Sequence, residues 1–148
     1  MKLKLQLIIE SDSGETDMVQ EVTKLERYAL RPETLGLTLP EAKELLQEVQ
    51  RAMVTHQTTG YVTRQTQCAK CGKIQSRKGK HEIVFRTLFG KLRLVSPRLY
   101  HCGCCSKEGC RSFSPLAELL TERTAPELIY LGNKFAAAWR LNSSSYLF

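Results

Sequence analysis

Cys68-Ala69-Lys70-Cys71-Gly72 and, further on, Cys102-Gly103-Cys104-Cys105 organise the centre of this chain. The first is a C-x2-C-G knuckle: a tight turn presents two thiolates to one ion, and the glycine relieves strain as the chain leaves. Between the two clusters, residues 81–100 read as a β-hairpin. Ile83, Phe85 and Thr87 alternate with Val84 and Arg86, Phe89-Gly90-Lys91 supplies the turn, and Leu92 and Leu94 alternate with Arg93. Pro97 marks a strand edge or bulge. Two cysteine pairs bracketing a hairpin predict a zinc ribbon, in which the pairs close a tetrahedral Zn²⁺ site with bonds of ~2.3 Å.

The second pair has two readings. Cys102 with Cys105 makes a C-x2-C knuckle, and Cys102 with Cys104 makes a C-x-C pair. Cys110 reads as a spare thiol, and His101 as a less favoured substitute for one sulfur. A disulfide framework needs an oxidising compartment, whereas the opening Met1-Lys2-Leu3-Lys4-Leu5 has no continuous apolar h-region. Redox catalysis by a lone C-x-x-C needs a βαβ context that the flanks lack. A structural zinc site of four cysteines leaves no open position for catalysis.

Charge gathers around the same cysteines. The chain carries 22 Lys+Arg and 15 Asp+Glu, a net +7. Twelve of those cations but only two of the acids, Glu82 and Glu108, lie between Arg64 and Arg111, so this window is +10 and the remainder −3. All six cysteines fall inside it. Such a footprint suits phosphate backbones and predicts binding that weakens steeply with salt. The candidate phosphate contacts are Lys70, Lys73, Arg77, Lys78 and Lys80 around the first knuckle, and Arg86, Arg93 and Arg98 on the hairpin. The competing reading is a solvated basic face on a ribbon that binds another protein. No base-reading helix is identifiable.

Outward from the centre, residues 2–10 alternate Lys2, Lys4 and Gln6 with Leu3, Leu5 and Leu7, as a half-buried strand does. Residues 17–28 are predicted to form a short helix with Met18, Val22, Leu25 and Tyr28 on one face. Thr38-Leu39-Pro40-Glu41 fits a capping box opening an amphipathic helix. Its expected inward face is Ala42, Leu45, Leu46, Val49, Met53 and His56, and it weakens near Thr58-Thr59-Gly60. Ser114-Pro115 opens a helix with Leu116, Leu119 and Leu120 inward. Thr124-Ala125-Pro126-Glu127 opens another, with Leu128, Leu131 and Phe135 on one side. The predicted class is therefore α+β: an N-terminal strand and helical region (1–66), a zinc-ribbon module (67–111) and a helical segment (112–148).

Several classes of function find no support. The chain is 42% apolar and only 7% aromatic, and no apolar run approaches the ~20 residues that span a bilayer. A cytoplasmic protein with no membrane partner is expected. No Gly-rich phosphate loop, G-x-S-x-G elbow or H-E-x-x-H motif occurs. The carboxylates of 41–48 and 118–127 read as solvated helix faces, so neither an active site nor a small-molecule substrate is predicted.

The order of motifs resembles the N-terminal part of the ISKra-type bacterial insertion-sequence transposases. The resemblance is carried by Gln6 to Glu10, Leu35-Gly36-Leu37-Thr38-Leu39-Pro40-Glu41-Ala42-Lys43 and the C-x-x-C-Gly knuckle. It continues through Arg86-Thr87-Leu88-Phe89-Gly90-Lys91-Leu92-Arg93-Leu94, Ser96-Pro97-Arg98-Leu99-Tyr100-His101-Cys102 and Phe113-Ser114-Pro115-Leu116-Ala117-Glu118-Leu119-Leu120, and runs to about Ala137. It implies a DNA-binding, zinc-ribbon front end that binds transposon ends, is nucleoid-associated and has a full-length transposase as a possible partner. The resemblance also favours Cys104 over Cys105 as the fourth ligand. In complete members an RNase H-like domain with an acidic triad follows and performs DNA transposition. Here the segment Ala138 to Phe148 departs from the family, as in a truncated member, and no position matches the triad, so this chain is not expected to be an enzyme itself.

Overall fold

The computed structural model describes residues 1–104 and 112–144. The fold is small and α+β, with an N-terminal strand pair, a central sheet beside a cluster of cysteines, and C-terminal helices. The chain divides into two compact units, Met1–Gln57 and Thr58–Phe148.

In the first unit, β1 (Lys2–Glu10) pairs antiparallel with β2 (Thr16–Glu26). A turn closed by Ser11 N–H to Glu15 O (2.8 Å) joins them. The helix expected over residues 17–28 is thus a strand. The pairing explains the misleading pattern: Leu5 faces Thr23 but Gln6 faces Glu21, which leaves Val22 as a bulge residue. An inserted residue switches the alternation to the other parity. Met18 before it, the bulge residue Val22 itself and Leu25 after it therefore fall at helix-like spacing while sitting on a strand.

Arg31 and a 3₁₀ turn (Pro32–Thr34) lead to α1 (Leu39–Gln65). The capping box forms as expected. Glu41 N–H reaches Thr38 Oγ1 at 3.5 Å, and the Glu41 carboxylate accepts from Thr38 N–H at 2.9 Å and from its hydroxyl at 2.8 Å. The helix passes through Gly60 without a break. Ala42, Leu45, Val49 and His56 are shielded as expected, but Leu46 and Met53 are exposed and Ala52 is the buried residue. Ala42, Leu45, Val49, Ala52 and His56 form the stripe at helical spacing.

In the second unit, β3 (Arg77–Thr87), β4 (Gly90–Tyr100) and β5 (Ser112–Phe113) make an antiparallel sheet in the order β3-β4-β5. The hairpin turn is Leu88-Phe89, with Thr87 opposite Gly90, and β3 runs further back than periodicity suggests. Beside Pro97 the ladder carries a bulge at Lys78, since Arg77 faces Leu99 and Gly79 faces Arg98. The outer edge of β3 is partly covered: Arg86 N–H bonds Arg123 O (2.9 Å), and Ala125 N–H bonds Arg86 O (2.8 Å).

One face of the hairpin makes the core. Ile83, Leu92 and Leu94 are buried there, with Leu116 of α2 (Pro115–Leu119), while Leu99, of the opposite parity on β4, is also fully buried. Leu119, expected inward, is exposed, because the helix ends at that residue and turns only one face to the sheet. Ser114 precedes α2 but makes no side-chain cap; its hydroxyl lies 2.6 Å from that of Ser96 instead. Ser96 is fully buried and also accepts the Leu116 N–H at 3.3 Å. α3 (Pro126–Ser144) follows, with Leu128 and Leu131 half-buried and Phe135 exposed. Among the described residues no helix is long and apolar enough to cross a membrane.

Candidate metal centre

The first knuckle is a miniature hairpin grown from the end of α1. Gln67 bridges Ile74, Gln75 N–H bonds Thr66 O (2.8 Å) and Cys68 N–H bonds Lys73 O (2.9 Å). Inside it, Gly72 N–H returns to Cys68 O at 2.8 Å. Gly72 takes φ +69°, a left-handed conformation that a side chain would strain. Ser76 O then accepts from Tyr100 N–H at 2.9 Å. That bond ties the exit of the knuckle to the last residue of β4, and two residues later the chain delivers Cys102.

The four sulfurs of Cys68, Cys71, Cys102 and Cys104 consequently meet, all within 4.8 Å of one another. Cys71 Sγ lies 3.3 Å from Cys102 Sγ, while Cys104 Sγ lies 3.4 Å from both Cys68 Sγ and Cys102 Sγ. These separations far exceed the ~2.05 Å of a disulfide, and none of the four is in a disulfide. They approach the roughly 3.8 Å edge of a tetrahedron built from metal–sulfur bonds of about 2.3 Å. Cys68 is buried, Cys102 half-buried, and Cys71 and Cys104 face solvent. The cluster can hold a metal ion.

Its protonation chemistry points the same way. The Lys73 backbone N–H draws the Cys71 thiol down, but the neighbouring Cys102 sulfur and lost hydration outweigh it, leaving Cys71 above the usual thiol range. Cys102 lies below that range, held first by the Cys104 backbone N–H and then by Cys71. Four crowded thiolates require a cation between them.

His101 is not a member of the cluster. Its ring stacks on Phe113 with centroids 4.7 Å apart, bracing the segment that carries Cys102. Cys105 and Cys110 lie outside the described residues. His56 is also remote from it in sequence and faces Asp17 at 3.6 Å.

All eight candidate phosphate contacts are exposed, and register sorts them into two groups. Lys70 and Lys73 sit in the knuckle; Arg77, Lys78 and Lys80 start β3, and Arg98 faces Gly79 near the same end. Arg86 and Arg93 lie toward the hairpin turn, with Arg86 about 30 Å along the strand from Arg77. Arg93 is paired with Glu82 at 2.8 Å, and Lys78 lies 5.6 Å over the Tyr100 ring. Among the described residues the other six make no ion pair. Lys91, outside the candidate set, faces Arg86 directly and adds a cation at the turn; only the strand register reveals that they share a face.

Comparison of the chain with protein-family models, with characterised proteins and with solved structures returns no match.

Proposed function

We propose that this chain is a zinc-ribbon DNA-binding module, of the kind that opens an ISKra-type insertion-sequence transposase. One observation carries the reading: the four-sulfur cluster and a group of exposed cations share one end of one hairpin. Four thiolates in a closed set suit Zn²⁺ over harder ions. Cys68, Cys71, Cys102 and Cys104 hold it, and the metal staples the knuckle to the end of β4. Lys70, Lys73, Arg77, Lys80 and Arg98 then stand on a fixed platform at duplex phosphates, with Lys78 partly engaged by Tyr100 and Ser112.

The test is equilibrium binding of the zinc-loaded chain to labelled duplexes between 50 and 200 mM salt. If four to six phosphates are contacted, affinity falls about 10²- to 10³-fold over that range. Salt-independent binding, or none at low salt, refutes the reading. The transposase assignment requires in addition that terminal-repeat duplexes of ISKra-type elements bind more tightly than shuffled ones.

A second reading, a module that docks on another protein such as a full-length transposase, is favoured by the exposed rings of Tyr130 and Phe135 on α3. Association through that apolar surface would scarcely respond to salt.

A further inference from the structure

β5 and α2 fold beside the β3–β4 hairpin and leave a cleft of about 500 Å³. Arg98, His81, Ser112 and Ser114 supply its polar lining, and Glu118 is its one acid among the described residues. Ser114 Oγ lies 2.6 Å from the buried Ser96 Oγ and 3.5 Å from His81 Nε2. Ser96 Oγ accepts from Leu116 N–H and also reaches Pro97 O at 3.5 Å, and its bond with Ser114 can run in either direction; when Ser114 donates to a ligand, Ser96 donates to Ser114 Oγ. His81 Nδ1 is sealed from solvent and has no hydrogen-bond partner among the described residues, an unusual state for a buried polar atom. Lys78 Nζ lies 3.4 Å from Ser112 Oγ and brings a second cation to the edge. Arg98 and Glu118 line the same cleft, and among the described residues neither forms an ion pair, which leaves the guanidinium fork for an oxyanion.

We propose that this cleft binds one backbone phosphate of DNA, with Arg98 as the charged fork, Ser114 as a neutral donor and Lys78 as a flanking cation. Guanidinium and hydroxyl donors converging on one small space suit a phosphodiester better than an apolar or cationic ligand. The identity of the occupant rests on the DNA-binding reading above; the anion site itself does not. Arg98 precedes Leu99 and Tyr100 in the strand that leads to Cys102, so a phosphate held there sets the register of the cysteine-bearing end on the duplex.

Two titrations of the zinc-loaded full chain test this. In the first, inorganic phosphate is added while the amide signals of Ser112, Phe113 and Ser114 are followed by NMR. Saturable shifts at those three are expected, with Kd about tenfold weaker in Arg98→Gln, about threefold tighter in Glu118→Gln, and unchanged in Lys43→Gln on the exposed side of α1. Unshifted signals, or the same Kd in all variants, overturn the site; dispersed spectra verify that each variant is folded. In the second, Arg98→Gln is expected to lower the slope of log affinity against log salt for duplex DNA by about 1. Phosphate binding without that change of slope overturns DNA as the occupant. Wild-type chain that binds phosphate but shows no salt-dependent DNA binding places the failure in the DNA-binding reading.

Discussion

The Arg27 guanidinium lies 2.7 Å from the Glu41 carboxylate, and the oxygen it meets is the one that accepts both hydrogen bonds from Thr38. Arg27 follows directly on β2; the Nη2 that meets Glu41 also donates to Gly36 O at 3.1 Å, and Nε donates to Thr34 O at 3.0 Å. One arginine thus fastens the end of the strand pair, the connecting turn and the N-terminus of α1 together. The acid belongs there for a second reason, since the first turn of a helix favours negative charge.

Acid sensitivity of the first unit follows. Arg27 first, and then the Thr38 bonds, hold the Glu41 carboxyl at about 2 rather than the ordinary 4.5. A depressed folded-state value favours the ionised native form. The stabilisation is therefore complete above about pH 4.5 and is lost as pH falls towards 2. Urea midpoints measured across that window should drop for the wild type and drop less for Glu41→Gln, which is weaker at neutral pH.

Gly72→Ala should loosen the metal site without touching a ligand. A Cβ at Gly72 would meet nothing within 4 Å, so its effect is confined to the left-handed backbone at φ +69°. That conformation costs an L-residue about 1–2 kcal/mol, equivalent to roughly five- to thirtyfold in zinc affinity. Competition with a chromogenic chelator measures it.

In the core of the second unit, Leu99→Ala should cost about 2–5 kcal/mol, because Leu99 is wholly buried and the sheet cannot collapse around the gap. Ser96→Ala removes far less volume yet should still cost about 1–3 kcal/mol, since it strands the buried Leu116 N–H. Denaturant unfolding of both variants is the check; a neutral Ser96→Ala would show that water replaces the hydroxyl.

What could be read from the residues alone was local and periodic. Strict alternation announced β1 and the middle of the hairpin, and Thr38 to Glu41 announced the start of α1. The Cys68-to-Cys71 spacing announced the knuckle. Strand β2 was illegible because the bulge at Val22 breaks its period. The early part of β3 escaped notice because Arg77-Lys78-Gly79-Lys80 has no apolar face and is a strand only through its partners on β4. The cleft formed by Ser114, His81 and Arg98 joins residues distant in sequence, and no spacing rule connects them.

Metal content of the chain purified under reducing conditions, by elemental analysis of the wild type and of Cys68→Ser and Cys104→Ser, bears most directly on the zinc ribbon. One zinc per chain is expected in the wild type, with loss or severe weakening in both variants. Folded wild-type protein without zinc, or variants that retain it fully, would contradict the ribbon and leave the basic hairpin without its staple.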